Sequence, residues 1–207
     1  MQTSYCLYGA GGHAKVIIEI LEKSKKEIHC LYADENYDSD IFEYKISTKN
    51  DIFEDPSLNW IIAIGNNSVR KKITESHFLS YGTAIDPSTN ISKRARILEG
   101  TVIMPGVSVN SSTTIGKHII LNTNSSIDHD CQVSDFVHIS PNATLCGGVF
   151  IGEGTHVGAG AVVIPGVRIG KWCTIGAGSV IIKDVPDFST VVGNPGRIIK
   201  TEINNES

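Results

Sequence analysis

An aliphatic residue recurs at every sixth position from Ile85 to Ile181. The positions are Ile85, Ile91, Ile97, Ile103, Val109, Ile115, Leu121, Ile127, Val133, Ile139, Leu145, Ile151, Val157, Val163, Ile169, Ile175 and Ile181. A helix repeats at about 3.6 residues and a flat strand at 2, so neither explains a period of six. One short strand and one turn do, and three such units close a triangular coil of roughly eighteen residues. The pattern therefore predicts a parallel β-helix and disfavours an antiparallel β-sandwich, whose strands recur irregularly.

The segment before the repeat has a different pattern, which alternates short apolar runs with amphipathic ones. Strands are predicted at residues 4–9, 28–34 and 60–65, with a weak strand near Tyr44–Ile46 in an otherwise irregular segment. Helices are predicted over residues 16–26 and from near Asn67. This order indicates a small parallel sheet, equivalent to one mononucleotide-binding half of a doubly wound fold. With Gly82 and Pro87 at the junction, we expect an α/β domain over residues 1–84 and a β-helix with a C-terminal cap over 85–207.

Composition narrows the class of protein. The 207 residues are 41% hydrophobic and carry a net charge of −4, which offers no basic face for nucleic acid. No apolar run approaches the ~20 residues that span a bilayer, and the start of the chain lacks a signal-peptide pattern, so we expect a cytoplasmic protein without membrane partners. The five cysteines form no CxxC or CxxH pair and are expected to be reduced thiols.

A glycine turn follows the first predicted strand. Residues 9–14 have the form GxGxxA, and Asp34 ends the second predicted strand. In the dinucleotide fingerprint, such glycines admit a pyrophosphate to a helix N-terminus and the acid holds a ribose hydroxyl. Because the domain is about half the size of a complete dinucleotide fold, a nucleotide-sugar diphosphate fits better than NAD, and an NAD-dependent oxidoreductase would lack its second half-domain. The alternative is that the glycines only permit tight strand-to-helix packing.

The repeat region carries a candidate general base, His129, in the sequence Asp128-His129-Asp130. Two positions past an inward Ile, its side chain should leave the coil interior, and an imidazole is a suitable base near neutral pH. One coil later the stacked residue is Gly147, which leaves space for a substrate. Either Asp128 or Asp130 could accept the other ring N–H. The alternative is a solvated surface histidine between two acids.

Other histidines of the repeat are less informative. His138 and His156 are eighteen residues apart and should stack on consecutive coils. Without a third ligand at matching spacing, no metal site is expected. His118 and His156 are expected at the surface.

The chain as a whole resembles the hexapeptide-repeat acyltransferases, and within them the bacterial nucleotide-linked amino-sugar N-acetyltransferases and the sialic acid O-acetyltransferases. The similar segments are YGAGGHAK, IAIGNNSVRKKI, LNTNSSIDHDCQVSDFVHISPNATLCGGVFIG and VVGNPGR. The resemblance implies a left-handed β-helix and a homotrimer with acetyl-CoA between neighbouring β-helices. One departure is Ala33-Asp34, where the family often has two acids.

The resemblance also implies roles for individual residues. Asp130 takes the place of the acid, commonly Glu, that orients the base, and His138 lies against the thioester. Gly147 supplies an N–H to the oxyanion, and Arg197 belongs to a segment near the CoA. The complete sets are, for the sugar nucleotide, Gly11, Gly12, His13, Asp34 and Gly65, and for acetyl-CoA, His138, Gly147, Ala159, Ala177 and Arg197.

These features together predict an acetyl-CoA-dependent N-acetyltransferase acting on a nucleotide-linked amino sugar for surface glycan synthesis, with a UDP-4-amino-4,6-dideoxyhexose as the expected acceptor. O-acetylation of sialic acid is the alternative reaction. A non-catalytic nucleotide-sugar-binding scaffold is the alternative from another class.

Overall fold

The computed structural model describes residues 4–34, 40–48, 53 and 55–201. Its N-terminal part is a parallel sheet in the order β3-β2-β1-β4. The strands and helices of this part are β1 Ser4–Tyr8, α1 Gly12–Lys23, β2 Glu27–Tyr32, β3 Ile46–Ser47, β4 Leu58–Ile62 and α2 Asn67–Ser76. The predicted small parallel sheet is confirmed, and the expected irregular segment between β2 and β4 lies partly outside the described residues.

Two element boundaries differ from the prediction. Helix α1 begins at Gly12, four residues before the predicted start, because the extended Gly11 (φ −93°) is its N-cap. The apolar side of α1 then buries Ala14 together with Ile17, Ile20 and Leu21 against the sheet. Strands β2 and β4 end at Tyr32 and Ile62, two and three residues before the predicted ends, so Asp34 and Gly65 lie in loops.

The repeat region forms a solenoid of nearly six coils, with 17 strands shared among three faces, consistent with a left-handed parallel β-helix. Its strands are two residues long: β5 Ala84–Ile85, β6 Asn90–Ile91, β7 Arg96–Ile97, β8 Val102–Ile103, β9 Ser108–Val109, β10 Thr114–Ile115, β11 Ile120–Leu121, β12 Ser126–Ile127, β13 Gln132–Val133, β14 His138–Ile139, β15 Thr144–Leu145, β16 Phe150–Ile151, β17 His156–Val157, β18 Val162–Val163, β19 Arg168–Ile169, β20 Thr174–Ile175 and β21 Val180–Ile181. Every third strand pairs in parallel, which gives three faces. The first face contains β5, β8, β11, β14, β17 and β20, the second contains β6 to β21 in steps of three, and the third contains β7 to β19 in the same steps.

The second residue of each strand is the hexad aliphatic, and it points into the coil. From Ile103 to Ile181 these residues are at most 3% exposed and form one continuous core. Ile85, Ile91 and Ile97 are only partly buried, because they belong to the first coil at the open end of the solenoid. The hexad prediction is therefore confirmed in both period and direction.

The last coil is followed by an antiparallel hairpin of β22 Ser189–Val192 and β23 Arg197–Thr201. Strand β22 pairs in parallel with β20, so the hairpin extends the first face. Pairing of this kind covers part of a strand edge that would otherwise be open to association.

The N-terminal sheet packs on the first face of the β-helix. Outward residues of that face, among them Val102 and Ile120, share a buried cluster with Leu7, Ile17 and Leu21. Helix α2 lies over the edge between the third and first faces, where Asn67 Nδ2 donates to the Gly154 carbonyl at 3.0 Å. Neither helix among the described residues is long and apolar enough to cross a membrane.

Candidate active site

A cavity of about 420 Å³ opens at the carboxyl ends of β1, β2 and β4. All five residues predicted to bind the sugar nucleotide line it, namely Gly11, Gly12, His13, Asp34 and Gly65. A Cβ built on Gly11, Gly12 or Gly65 meets no atom within 4 Å, so these glycines keep space open and are not needed for close packing. This favours a ligand-binding role for the turn over a packing role.

The cavity also contains the Tyr8 hydroxyl, which the sequence did not single out, beside the predicted Asp34 and His13. The Tyr8 hydroxyl donates to Asp34 Oδ1 at 2.7 Å, and burial, followed by this contact with the carboxylate, raises the pKa of the phenol. His13 is largely buried, which lowers its pKa to about 4 with a further contribution from the charge of Arg70. Its Nε2 has no hydrogen-bond partner among the described residues. His13 is therefore a neutral imidazole in the cavity wall, with one buried ring nitrogen that has no partner among the described residues.

His129 lies at the edge between the second and third faces, and its side chain is 61% exposed. Its Nδ1 is 2.7 Å from Asp130 Oδ2, whereas Asp128 Oδ2 is 4.0 Å from Nε2. Asp128 Oδ1 instead accepts from the His129 backbone N–H and from Asn110. In this geometry Asp130, and not Asp128, is the acid that contacts Nδ1 of His129. The hydrogen bond to Asp130, followed by the charge of Asp128, raises the pKa of His129.

Gly147 stacks directly against the His129 ring, one coil further on. A Cβ on Gly147 would lie 2.7 Å from both Nε2 and Cε1 of His129, so only glycine leaves the imidazole in this position. The neighbouring Gly148 N–H donates to the His129 carbonyl, while no acceptor among the described residues takes the Gly147 N–H. A base nitrogen and an unused N–H donor are thus adjacent at one edge.

His138 and His156 stack on the first face as predicted, with ring centroids 4.9 Å apart and planes 15° from parallel. Asn122 Oδ1 accepts the Thr123 N–H, which turns Nδ2 of Asn122 toward His138 Nε2 at 3.1 Å. His138 Nε2 is then an acceptor, and the other ring nitrogen carries the proton and can form the backbone hydrogen bond with Gly65. Burial lowers the pKa of His138 to about 3. Nε2 is engaged and burial disfavours the charged ring, so His138 is poorly placed to take a proton.

His118 was expected at the surface, and that prediction is wrong. The residue is 4% exposed, stacks on Phe136 and contacts Tyr81 edge-on. Its position at the edge between the third and first faces places it beneath the N-terminal domain, which no repeat pattern could indicate. Burial lowers its pKa to about 4. His156 is exposed as expected, and its Nε2 lies 2.7 Å from Ser140 Oγ.

The remaining residues predicted to bind acetyl-CoA lie apart from His129. Ala159 and Ala177 are exposed, one coil apart, at the edge between the first and second faces, where the Gly178 N–H donates to the Ala159 carbonyl. Arg197 begins β23, and its guanidinium donates to the Pro195 and Gly196 carbonyls. The structure thus joins His129 with Gly147 and Asp130 but separates them from Ala159, Ala177 and Arg197.

The nucleotide cavity and His129 are also separated within one chain. The cavity belongs to the domain packed on the first face, and His138 of that face reaches its wall at Gly65. In a triangular coil, the edge between the second and third faces is opposite the first face. His129 therefore points away from the cavity of its own chain.

A nucleotide-type cavity joined to a hexapeptide β-helix with a histidine–carboxylate pair at a coil edge defines the class of hexapeptide-repeat acyltransferases. Two family models match, one described as the PglD N-terminal domain at residues 5–77 and one as bacterial transferase hexapeptide (six repeats) at residues 148–183. No curated protein matches the chain in sequence.

Solved structures match nearly the whole chain. A histidine variant of perosamine N-acetyltransferase from Caulobacter crescentus, in complex with CoA and GDP-perosamine, is 33% identical with a TM-score of 0.90, covering 95% of this chain and 97% of that chain. The acetyltransferase domain of PglB from Neisseria gonorrhoeae FA1090, in complex with acetyl coenzyme A, is 31% identical with a TM-score of 0.90, covering 96% and 100%. WeeI from Acinetobacter baumannii AYE is 29% identical with a TM-score of 0.87, covering 95% and 100%.

The chain belongs to the family of hexapeptide-repeat sugar N-acetyltransferases that contains these perosamine and PglB-type enzymes. The predicted enzyme class, an acetyl-CoA-dependent sugar acetyltransferase, is confirmed.

Proposed function

We propose that this protein transfers the acetyl group of acetyl-CoA to the amino group of a nucleotide-linked amino sugar used in surface glycan synthesis. The observation that carries the proposal is the His129–Asp130 pair at 2.7 Å, with His129 Nε2 directed at the space left by Gly147. The likeness to enzymes crystallised with CoA and GDP-perosamine supports an amine acceptor over the hydroxyl of sialic acid. A UDP-4-amino-4,6-dideoxyhexose is the acceptor we expect, and its GDP counterpart is the closest competitor.

The chemistry is direct attack. The amino nitrogen adds to the thioester carbonyl while His129 Nε2 accepts its proton, and Asp130 stabilises the resulting imidazolium through Nδ1. The Gly147 N–H, unused among the described residues, is available to the developing oxyanion. Collapse of the tetrahedral intermediate then expels the CoA thiolate, which takes the proton from the His129 imidazolium and so regenerates the neutral base. No acyl-enzyme is required, and Cys131 is buried in the coil interior.

The two parts of the chain divide the substrates between them. We assign the nucleotide and diphosphate to residues 1–84, through Gly11, Gly12, His13, Asp34 and Gly65, and acetyl-CoA to residues 85–207. The open space at the three glycines and the helix N-terminus beside them suit a diphosphate. The free thiols agree with a cytoplasmic enzyme, where acetyl-CoA is available.

A homotrimer completes the site. Because His129 points away from the cavity of its own chain, the sugar in that cavity needs the histidine of a neighbour. The second face offers a surface for association, since its outward residues are short. These residues are Asn90, Ser108, Ser126, Thr144, Val162 and Val180.

The test is acetyl transfer with purified protein, acetyl-CoA and a panel of UDP-, GDP-, dTDP- and CMP-linked amino sugars. Thiol release and a mass gain of one acetyl group on a single nucleotide sugar are expected. A protein that binds a sugar nucleotide, by thermal shift, but neither binds acetyl-CoA nor releases thiol would be a non-catalytic scaffold and would contradict the proposal.

A further inference from the structure

Arg70 is a fully buried arginine that is 1% exposed and lies on the inner side of α2. Among the described residues, no Asp or Glu forms an ion pair with it. Burial lowers its pKa to about 9, which leaves the guanidinium charged at neutral pH. A buried cation without a counter-ion is costly, so each N–H needs a well-placed acceptor.

The acceptors of Arg70 come from two separate parts of the molecule. On the side of the nucleotide cavity, Nη1 donates to the Ile64 and Gly65 carbonyls at 3.1 and 2.9 Å. On the side of the β-helix, Nε donates to the His118 carbonyl at 3.1 Å, and Nη2 donates to the Phe136 carbonyl at 2.9 Å. His118 and Phe136 are the same corner of two successive coils, eighteen residues apart.

Two further contacts strengthen the same connection. Nη2 also donates to Asn67 Oδ1 at 2.8 Å, and Asn67 Nδ2 in turn donates to the Gly154 carbonyl, one coil beyond Phe136. His138 of the first face lies close to the Gly65 backbone. The loop of Ile64 and Gly65, which forms one wall of the cavity, is thus bound to three consecutive coils.

We propose that Arg70 is a positioning residue that fixes the Ile64–Gly65 wall of the nucleotide cavity at one height along the β-helix. The height of this wall sets the position, along the stack of coils, at which the bound amino sugar meets the acetyl group. The inference rests on the proposed function. The planar guanidinium suits this task because its donors diverge in fixed directions, whereas a lysine ammonium is one flexible point of charge.

Arg70 also contributes charge. No lysine or arginine among the described residues lines the cavity. The guanidinium behind the Gly65 wall is a fixed positive charge that lowers the pKa of His13, His138 and His156, in each case after the larger effect of burial or a neighbouring histidine. The positive charge behind this wall therefore also creates a favourable electrostatic potential for the bound diphosphate.

The experiment compares Arg70→Lys and Asn67→Ala with wild type, and uses the exposed Arg94→Lys as the matched control. The kcat is measured at saturation and expressed per chain that binds acetyl-CoA, which removes any contribution from unfolded protein. For Arg70→Lys we expect kcat to fall about tenfold or more and KM for the sugar nucleotide to rise, with the acetyl-CoA Kd within about twofold of wild type. Asn67→Ala should also lower kcat and raise KM for the sugar nucleotide, but by less than Arg70→Lys does. Arg94→Lys should change neither constant.

A purely structural role predicts a different result, in which the melting temperature falls but kcat per acetyl-CoA-binding chain and KM stay at wild-type values. That result would overturn the proposal. If Arg70→Lys does not fold, the kcat and KM of Asn67→Ala decide by the same criteria.

If the wild type acetylates no sugar in the panel, the proposed function fails, and amide hydrogen exchange still tests Arg70. Faster exchange at residues 64–67 in Arg70→Lys, with the β-helix core unchanged, supports the positioning role, and unchanged exchange at 64–67 contradicts it.

Discussion

At the scale of single residues, the mechanism depends on the environment of His129. The sequence pointed to this histidine through its two flanking acids, but it could not choose between Asp128 and Asp130. The choice depends on backbone direction at the corner, where Asp130 has a φ of 59° and turns its carboxylate back to Nδ1. Asp128 instead faces Asn110 of the preceding coil.

Replacement of His129 tests the base directly. We expect His129→Ala to lower kcat by about 10²–10⁴-fold, the usual contribution of a positioned base, with little change in stability because the side chain is mostly exposed. His138→Ala should cost less, since Nε2 is already engaged by Asn122 and burial lowers the pKa of the ring. If His129→Ala kept more than about a tenth of wild-type kcat while His138→Ala abolished activity, the general base would have to be reassigned to His138 on the first face.

The pH dependence of kcat should report the Asp130 contact. A base must be neutral, so kcat falls as the pH drops below the pKa of His129, which Asp130 and Asp128 raise. In Asp130→Asn that pKa returns toward its ordinary value of about 6.5, and the acid limb of the profile should shift to lower pH with a reduced plateau. A limb that stays in place would show that Asp130 does not contact the titrating group.

Gly147 offers a test that leaves His129 in the chain. In Gly147→Ala the added Cβ would lie 2.7 Å from the imidazole, so the exposed ring must rotate away from its position. We expect kcat to fall about 10–100-fold at nearly unchanged melting temperature. The double variant with His129→Ala should be no worse than His129→Ala alone, because the clash is then gone. Additive losses would mean that Gly147 acts independently of the histidine.

At the scale of elements, the glycine pattern correctly indicated the strand–turn–helix of β1 and α1. The turn is open on the cavity side, as the absence of any atom within 4 Å of a Cβ on Gly11 shows. What the pattern could not indicate was the start of α1, since glycines are poor helix formers and propensity alone favours a later residue. Arg70 was also missed, although it lies three residues before Ile73 on the buried side of α2.

Filling the turn should damage only one substrate site. Gly11 has an extended φ of −93° and open space, so Gly11→Leu is compatible with the fold. The leucine would occupy the volume assigned to the diphosphate, and KM for the sugar nucleotide should rise while KM for acetyl-CoA stays nearly constant. Equal increases in both constants, with an unchanged circular dichroism spectrum, would count against the assignment of residues 1–84 to the nucleotide.

At the scale of the whole molecule, the β-helix could be predicted almost residue by residue because its core is a one-dimensional repeat. The position of the N-terminal domain relative to the β-helix edges could not be predicted. It depends on contacts such as those of Arg70 with backbone carbonyls, and every residue has a carbonyl, so these acceptors leave no signal in the sequence. His118 is the clearest case: its place in the hexad resembles that of many exposed residues, yet a second domain covers it.

Oligomeric state and site composition can be tested together. Light scattering should give about 67 kDa, three times the 22.3 kDa chain. His129→Ala and Gly11→Leu chains should each have little activity alone at a sugar-nucleotide concentration near the wild-type KM, but refolding them together should restore activity at about a quarter of the sites, where an intact cavity meets an intact neighbouring His129. A fully active monomer, or mixed chains that remain inactive, would contradict a site shared between chains.

The even stacking of coils has a consequence for how such enzymes can diverge. Each coil advances the solenoid by one strand spacing, about 4.8 Å, so distance along it is counted in steps of eighteen residues. Arg70 attaches the nucleotide cavity at the coils of His118 and Phe136, and His129 lies in the sequence between them. A duplication of one coil beyond Gly154 would leave that spacing intact and move only the residues that follow it, the C-terminal hairpin among them, whereas a duplication between 118 and 136 would break the attachment. Coils can therefore be added at the C-terminal end of the β-helix without changing the distance between the Arg70 attachment and His129.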